Sequence, residues 1–226
     1  MNIDKYWQQL IVFAAGKSSR LRPLTTNFPK TLLPVGNQSF LERLLDQFSG
    51  ISGEVTVAVG FCDDLIKQRL PPEIRTHFFS DYENANNLFT LISMIKKLNG
   101  ATALVFSDIF FASSAAEKIV RFAKPGRTFM VVDSSRVLES TMGVVISNKV
   151  VTKICLENEK LEANANFVGF AFVSAEDILH FKDAIVNSCD QPLESYYTIA
   201  VQKMIDSGVV VDALDLAGEF WAEVDD

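Results

Sequence analysis

Residues 10–25 read Leu10-Ile11-Val12-Phe13-Ala14-Ala15-Gly16-Lys17-Ser18-Ser19-Arg20-Leu21-Arg22-Pro23-Leu24-Thr25, and the class of the whole chain follows from them. The run 10–15 is apolar without alternation, the pattern of a strand covered on both faces. It stops at Gly16. The small residues that follow let the backbone approach a ligand closely. Backbone N–H groups with the Ser18 and Ser19 hydroxyls suit an anion. Lys17, Arg20, Arg22 and Lys30 place four cations within 14 residues, a concentration that matters only for a target with several negative charges, such as a triphosphate. The loop is neither GxxxxGK[ST] nor GxGxxG.

Outward from this loop, short apolar runs alternate with periodic stretches. Residues 40–48 (FLERLLDQF) carry apolar side chains at 40, 41, 44, 45 and 48, which is helix spacing. Strands are expected over 54–59, 74–79 and 102–106, and helices over 63–70 and 87–98. Repeated strand–helix units of this kind predict a parallel sheet with helices on both faces. After residue 128 the texture changes. Strand patterns at 128–132, 143–146, 150–156 and 167–173 suggest added, partly antiparallel strands, followed by helices over 175–186 and 193–207 and a strand over 209–214. No repeat, low-complexity linker or boundary interrupts the chain. One domain spanning 1–226 is expected, with the texture changing near residue 128.

The 226 residues carry 21 Lys plus Arg against 28 Asp plus Glu, a net charge of −7. An acidic chain lacks the general attraction to phosphate polymers that nucleic-acid binding relies on. Hydrophobic residues at 48%, 18 of them Phe, provide a sizeable core and argue against disorder. Cys62, Cys155 and Cys189 form no CxxC, and His77 and His180 stand apart, which excludes a disulfide framework and a Cys/His zinc site. The N-terminus lacks a signal-peptide layout and no stretch is long enough to span a membrane. A cytoplasmic monomer or homodimer is expected.

The longer string AAGKSSRLRPLTTNFPKTLLPVGNQSFLERLLDQF resembles the N-terminal signature of the sugar-nucleotide pyrophosphorylase-like nucleotidyltransferases, A-[AG]-G-x-G-[ST]-R-L-x-P-L-T-x-x-x-P-K-x-L-x-P-V. Gly16, Ser19, Arg20, Leu21, Pro23, Leu24, Thr25, Pro29, Lys30, Leu32, Pro34 and Val35 fill that pattern. Ser18 departs from it, standing where the family has a second glycine; a left-handed backbone there would be strained. The resemblance implies a Rossmann-like three-layer α/β/α nucleotidyltransferase fold, with a mixed, mainly parallel sheet and a small antiparallel addition. It also implies an enzyme that condenses a nucleoside triphosphate, CTP by its likeness to the cytidylyltransferase branch, with a small phosphorylated acceptor such as phosphocholine or a phosphonate and releases pyrophosphate. The same resemblance implies a nucleotide-binding half of about 1–127 and an acceptor-binding half of about 128–226. Ala14, Ala15, Gly16, Ser18 and Ser19 would then hold the nucleotide. Arg20 would stabilise the departing pyrophosphate and Lys30 the reacting phosphates. Such transfer asks a protein mainly to align anions and offset developing charge.

Two phosphate-bearing substrates repel, so Mg²⁺ is expected, and a hard cation wants carboxylate oxygens. The resemblance assigns Asp108, after the strand TALVF, and Asp225, in Trp221-Ala222-Glu223-Val224-Asp225, as its ligands; Phe106 stands where relatives often carry the first Asp of D-x-D. The segment Tyr82-Glu83-Asn84-Ala85-Asn86-Asn87 looks like the corresponding stretch of bacterial CTP:phosphocholine cytidylyltransferases. Asn86 and Asn87 are thus candidate base readers as well as helix caps. For a choline-like acceptor, Tyr196, Tyr197 and Glu194 offer aromatic faces and a carboxylate, and Lys160 lies in an acceptor-binding segment of relatives. Two alternatives stay open: a sugar-1-phosphate nucleotidyltransferase using UTP, dTTP or GTP, and a non-catalytic nucleotide-binding homologue.

Overall fold

The computed structural model describes residues 7–138, 141–155 and 157–224. β1 (Trp7–Ala14) is followed by 3-10 turns at Ser19–Leu21 and Lys30–Leu32, the short hairpin of β2 (Pro34–Val35) and β3 (Gln38–Ser39), and α1 (Phe40–Phe48). Next come β4 (Ser52–Val59), α2 (Asp63–Lys67), β5 (Arg75–Phe78) and α3 (Asn87–Met94). β6 (Thr102–Phe106), β7 (Ile109–Phe111), α4 (Ser113–Phe122) and β8 (Phe129–Asp133) lead into β9 (Gly143–Ser147) and β10 (Val150–Ile154). A 3-10 stretch over Glu157–Glu162, β11 (Ala165–Val173), α5 (Ile178–Val186), α6 (Thr198–Asp206), β12 (Asp212–Asp215) and β13 (Trp221–Glu223) complete the order.

The main sheet has nine strands in the order β5-β4-β1-β6-β11-β8-β12-β10-β9. β1 pairs in parallel with both β4 and β6, and β4 with β5. β11 and β10 run against the rest. β9 closes back to pair with β11 at Ala165↔Val144 and Asn166↔Gly143. The mixed Rossmann-like sheet that the resemblance implies is therefore present, parallel in the direction of all its strands but β10 and β11, and the added strands continue the same sheet.

Parity along β1 shows why its apolar run is continuous. Leu10, Val12 and Ala14 enter a core cluster with Phe48, Phe111 and Phe170, while Ile11 enters a second with Leu91, Phe181 and Tyr197. Helices α1 and α4 therefore cover one face, and α3, α5 and α6 the other. Trp7 anchors the first cluster, stacked on Phe48 with ring centres 5.8 Å apart. α1 starts where expected because Ser39 accepts from the Glu42 amide and Glu42 reaches back to the Ser39 amide.

Several expected elements have different bounds, among them α5, which begins at Ile178, and β12, which spans Asp212–Asp215. α2 stops at Lys67, three residues short of the expected end. The helix expected over 87–98 turns 3-10 at Ile95–Lys97. The strand expected over 150–156 ends at Ile154. The helix expected from 193 begins only at Thr198, because residues 193–197 are bonded to the start of α3. No helix among the described residues is long and apolar enough to cross a membrane.

Candidate active site

The ends of β1 and β6 lie side by side, Phe13 opposite Phe106, and open on one cleft of about 380 Å³. This is where a parallel sheet presents its ligand crevice. The loop after β1 forms one wall. Its carbonyl at Ala15 accepts from the Phe61 amide, which ties it to the end of β4. No heavy atom lies within 4 Å of where a Cβ on Gly16 would project, so the space in front of it is open. Ser18 sits at φ 50°, ψ 47°, the left-handed region that its Cβ disfavours by about 1 kcal/mol. The buried Thr25 hydroxyl holds this turn by donating to the Ser18 carbonyl at 2.6 Å. Ser18 is thus a strained residue held by a hydrogen bond from within its own loop.

Lys30 stands on the second 3-10 turn. Its neighbour Thr31 is buried and donates to the Ser107 carbonyl, which brings the turn against the end of β6. As a result Lys30 Nζ lies 2.7 Å from Asp108 Oδ2, with both side chains largely buried. Asp108 Oδ1 is also buried and has no hydrogen-bond partner among the described residues. An orphaned carboxylate oxygen at the foot of an anion-lined cleft fits a hard cation. β13 pairs with β7, placing Glu223 opposite Ile109 and the Val224 amide 3.2 Å from the Asp108 carbonyl. Glu223 lines the cleft. The sequence reading passed over it in favour of Asp225, which lies outside the described residues.

The opposite wall is the segment 82–87. Tyr82 packs against Gly60, where any Cβ would meet the Tyr82 ring at 2.6 Å. Lys17 bridges to Glu83 at 3.0 Å across the cleft mouth. Asn86 and Asn87 both line the cleft, but their amide oxygens already have partners. Asn86 Oδ1 accepts from the Asn87 amide at 2.8 Å, and Asn87 Oδ1 from the Tyr197 amide at 2.7 Å.

A second cavity of about 810 Å³ opens beside the first, and Glu194 and Tyr196 line both. Met142, Ile154, Pro192 and Ile199 give it apolar walls. Tyr197 does not belong there: it is fully buried, stacked on Phe13 at 5.4 Å, and burial pushes its hydroxyl well above the usual tyrosine value. Its expected acceptor contact is thereby corrected to a core role. Lys160 lies on the 3-10 stretch, and its side chain is outside those described. Arg20 is exposed at the rim of the first cleft.

The profile of the MobA-like NTP transferase domain matches residues 10–154. The chain belongs to this family. Among relatives of this MobA-like domain, the UTP–glucose-1-phosphate uridylyltransferase of Haloferax volcanii is 26% identical over 93% of the chain and 88% of its own length. The CTP:phosphoglutamine cytidylyltransferase of Campylobacter jejuni is 24% identical, covering 95% and 94%. The solved CTP:phosphocholine cytidylyltransferase of Streptococcus pneumoniae superposes with a TM-score of 0.77 at 20% identity, over 96% of this chain and 93% of its own. The resemblance drawn from residues 14–48 is borne out, and so is the nucleotidyltransferase fold.

Proposed function

We propose that the chain is a cytidylyltransferase that joins CTP to a small phosphorylated acceptor, with release of pyrophosphate. The observation that carries this is the Lys30–Asp108 pair, 2.7 Å apart at the foot of a cleft rimmed by Ala14–Arg20. An acceptor phosphate oxygen attacks the α-phosphorus; the new P–O bond forms as the bond to the β-phosphate oxygen breaks. Lys30 neutralises the reacting phosphates, and Arg20 stabilises charge on the pyrophosphate as it departs. The amides and hydroxyls of residues 16–19 cradle the triphosphate. Asp108 is the described carboxylate suited to hold Mg²⁺, with Asp225 or Glu223 as its partner. When bound, that ion would offset negative charge on both substrates. The base lies against Tyr82–Asn86, and the acceptor extends into the second cavity. Tyr196 and Glu194 there offer an aromatic face and a carboxylate, a combination that suits a cationic head group.

The Haloferax relative supports a second reading, in which the pair is UTP and a sugar 1-phosphate. Pyrophosphate release separates the two. The purified protein is assayed with CTP, UTP, dTTP and GTP against phosphocholine, phosphoethanolamine and glucose 1-phosphate, with and without Mg²⁺. Turnover restricted to CTP and a phosphorylated amine supports the first reading. Turnover only with UTP or dTTP and the sugar phosphate supports the second. Nucleotide binding with no turnover on any pair sinks both and leaves a non-catalytic binder.

A further inference from the structure

We propose that Asn86 and Asn87 are positioning residues for the acceptor, holding the segment that divides the two cavities. The clasp consists of named bonds. The Asn86 amide donates to the Leu193 carbonyl at 2.8 Å, and its side-chain Nδ2 to the Glu194 carbonyl at 3.2 Å. The Leu88 amide donates to the Ser195 carbonyl at 3.4 Å, and the Tyr197 amide to Asn87 Oδ1 at 2.7 Å. Residues separated by more than a hundred positions in sequence are thus zipped together, one strand of the zip lining the nucleotide cleft.

What the zip holds is chemically specific. Glu194 and Tyr196 face both cavities, whereas Ser195 lines only the second and is largely buried, and Tyr197 is fully buried. Tyr197 packs between Phe13 and Phe106 at 5.4 and 5.7 Å, which fixes the far end of the segment beneath the cleft. Its main-chain N–H is buried and depends on Asn87, because residue 197 precedes α6 and has no helical acceptor of its own. Without the Asn87 oxygen that N–H loses its partner, and the segment must move to regain one. Glu194 and Tyr196 would move with it. The two asparagines therefore act on the acceptor through residues 194 and 196 rather than by reading the base.

This inference rests on the nucleotidyl-transfer reading for its acceptor, but its test does not rest on activity alone. Asn87→Leu keeps the size and loses the oxygen; Asn87→Asp keeps an oxygen and places a negative charge in the first turn of α3, where a helix tolerates it well. With CTP, Mg²⁺ and phosphocholine, Asn87→Leu should raise the KM for phosphocholine about tenfold while the KM for CTP stays within about twofold. Asn87→Asp should recover most of the loss. An equal rise in both KM values, no change in either, or failure of Asn87→Asp to recover would overturn the proposal. Hydrogen exchange on the free protein supplies the second arm. Asn87→Leu should speed exchange of amides 193–197 relative to those of β1 and β6; equal rates overturn the clasp. If the wild type transfers no nucleotide, the functional reading fails by itself and the exchange arm still decides the clasp.

Discussion

Lys30 and Asp108 are one ion pair with two jobs. In the free protein each neutralises the other, and both side chains are largely buried. Once substrate phosphates arrive, the ammonium has a stronger set of anions to serve. Replacing Lys30 with Met should lower kcat/KM by roughly 100-fold or more, about 3 kcal/mol of transition-state stabilisation. Steady-state pyrophosphate release measures it, and circular dichroism confirms that the fold remains. Ser18 offers a second residue-level outcome. Its left-handed backbone is disfavoured for any residue with a Cβ, so Ser18→Gly should be stabilising by about 0.5 kcal/mol after glycine's own entropic penalty. Chemical denaturation at matched conditions reads this out. These two positions were legible in the sequence because their chemistry is local to one loop. Asn86 and Asn87 were legible as caps and as candidate base readers, but not as a clasp. Their bonds to residues 193–197 cross the whole chain, and no local pattern announces such a partner. Tyr197 was misread for a related reason: two adjacent tyrosines look alike in sequence, and only packing decides that one faces ligand and the other the core.

Short elements escape periodicity altogether. β7 and β13 are three residues each, too few to show alternation, yet they carry the carboxylate side of the cleft. A buried hydrogen bond ties β13 to the main sheet: the Trp221 indole N–H donates to Asp133 Oδ2 at 2.8 Å. Burial alone would push the Asp133 carboxyl up. The indole, the Ser135 hydroxyl and amide, and nearby Arg136 outweigh it and hold the carboxyl below its ordinary value. A lowered folded pKa means stabilisation that is complete above the unfolded pKa, near 4, and lost as pH falls through the folded value. Asp133→Asn should therefore flatten the stability profile below about pH 4, as followed by urea midpoints in acid. α1 gives a neutral-pH counterpart. Removing its Ser39 cap with Ser39→Ala should cost about 1 kcal/mol, measurable by the same titration. That helix was readable to its ends because its apolar stripe is a local signal.

At the scale of the molecule, the sheet passes without a break across residue 127: β6 pairs with β11, and β11 with β8. On the proposed function, the division there is one of role within a single sheet. We expect a single calorimetric transition, with van't Hoff and calorimetric enthalpies equal; two separable transitions would show independent units. The closure of β9 onto β11 has a further consequence. Beyond the two paired residues, Asn164 takes over: its amide accepts from the Ile146 N–H at 2.8 Å and donates to the Ile146 carbonyl at 2.9 Å. A side chain thus imitates a neighbouring strand and caps that margin of the ladder. The β5 margin of the main sheet is four residues long, with Arg75 on it. A margin so short, carrying a cation, gives a foreign chain little to stack upon.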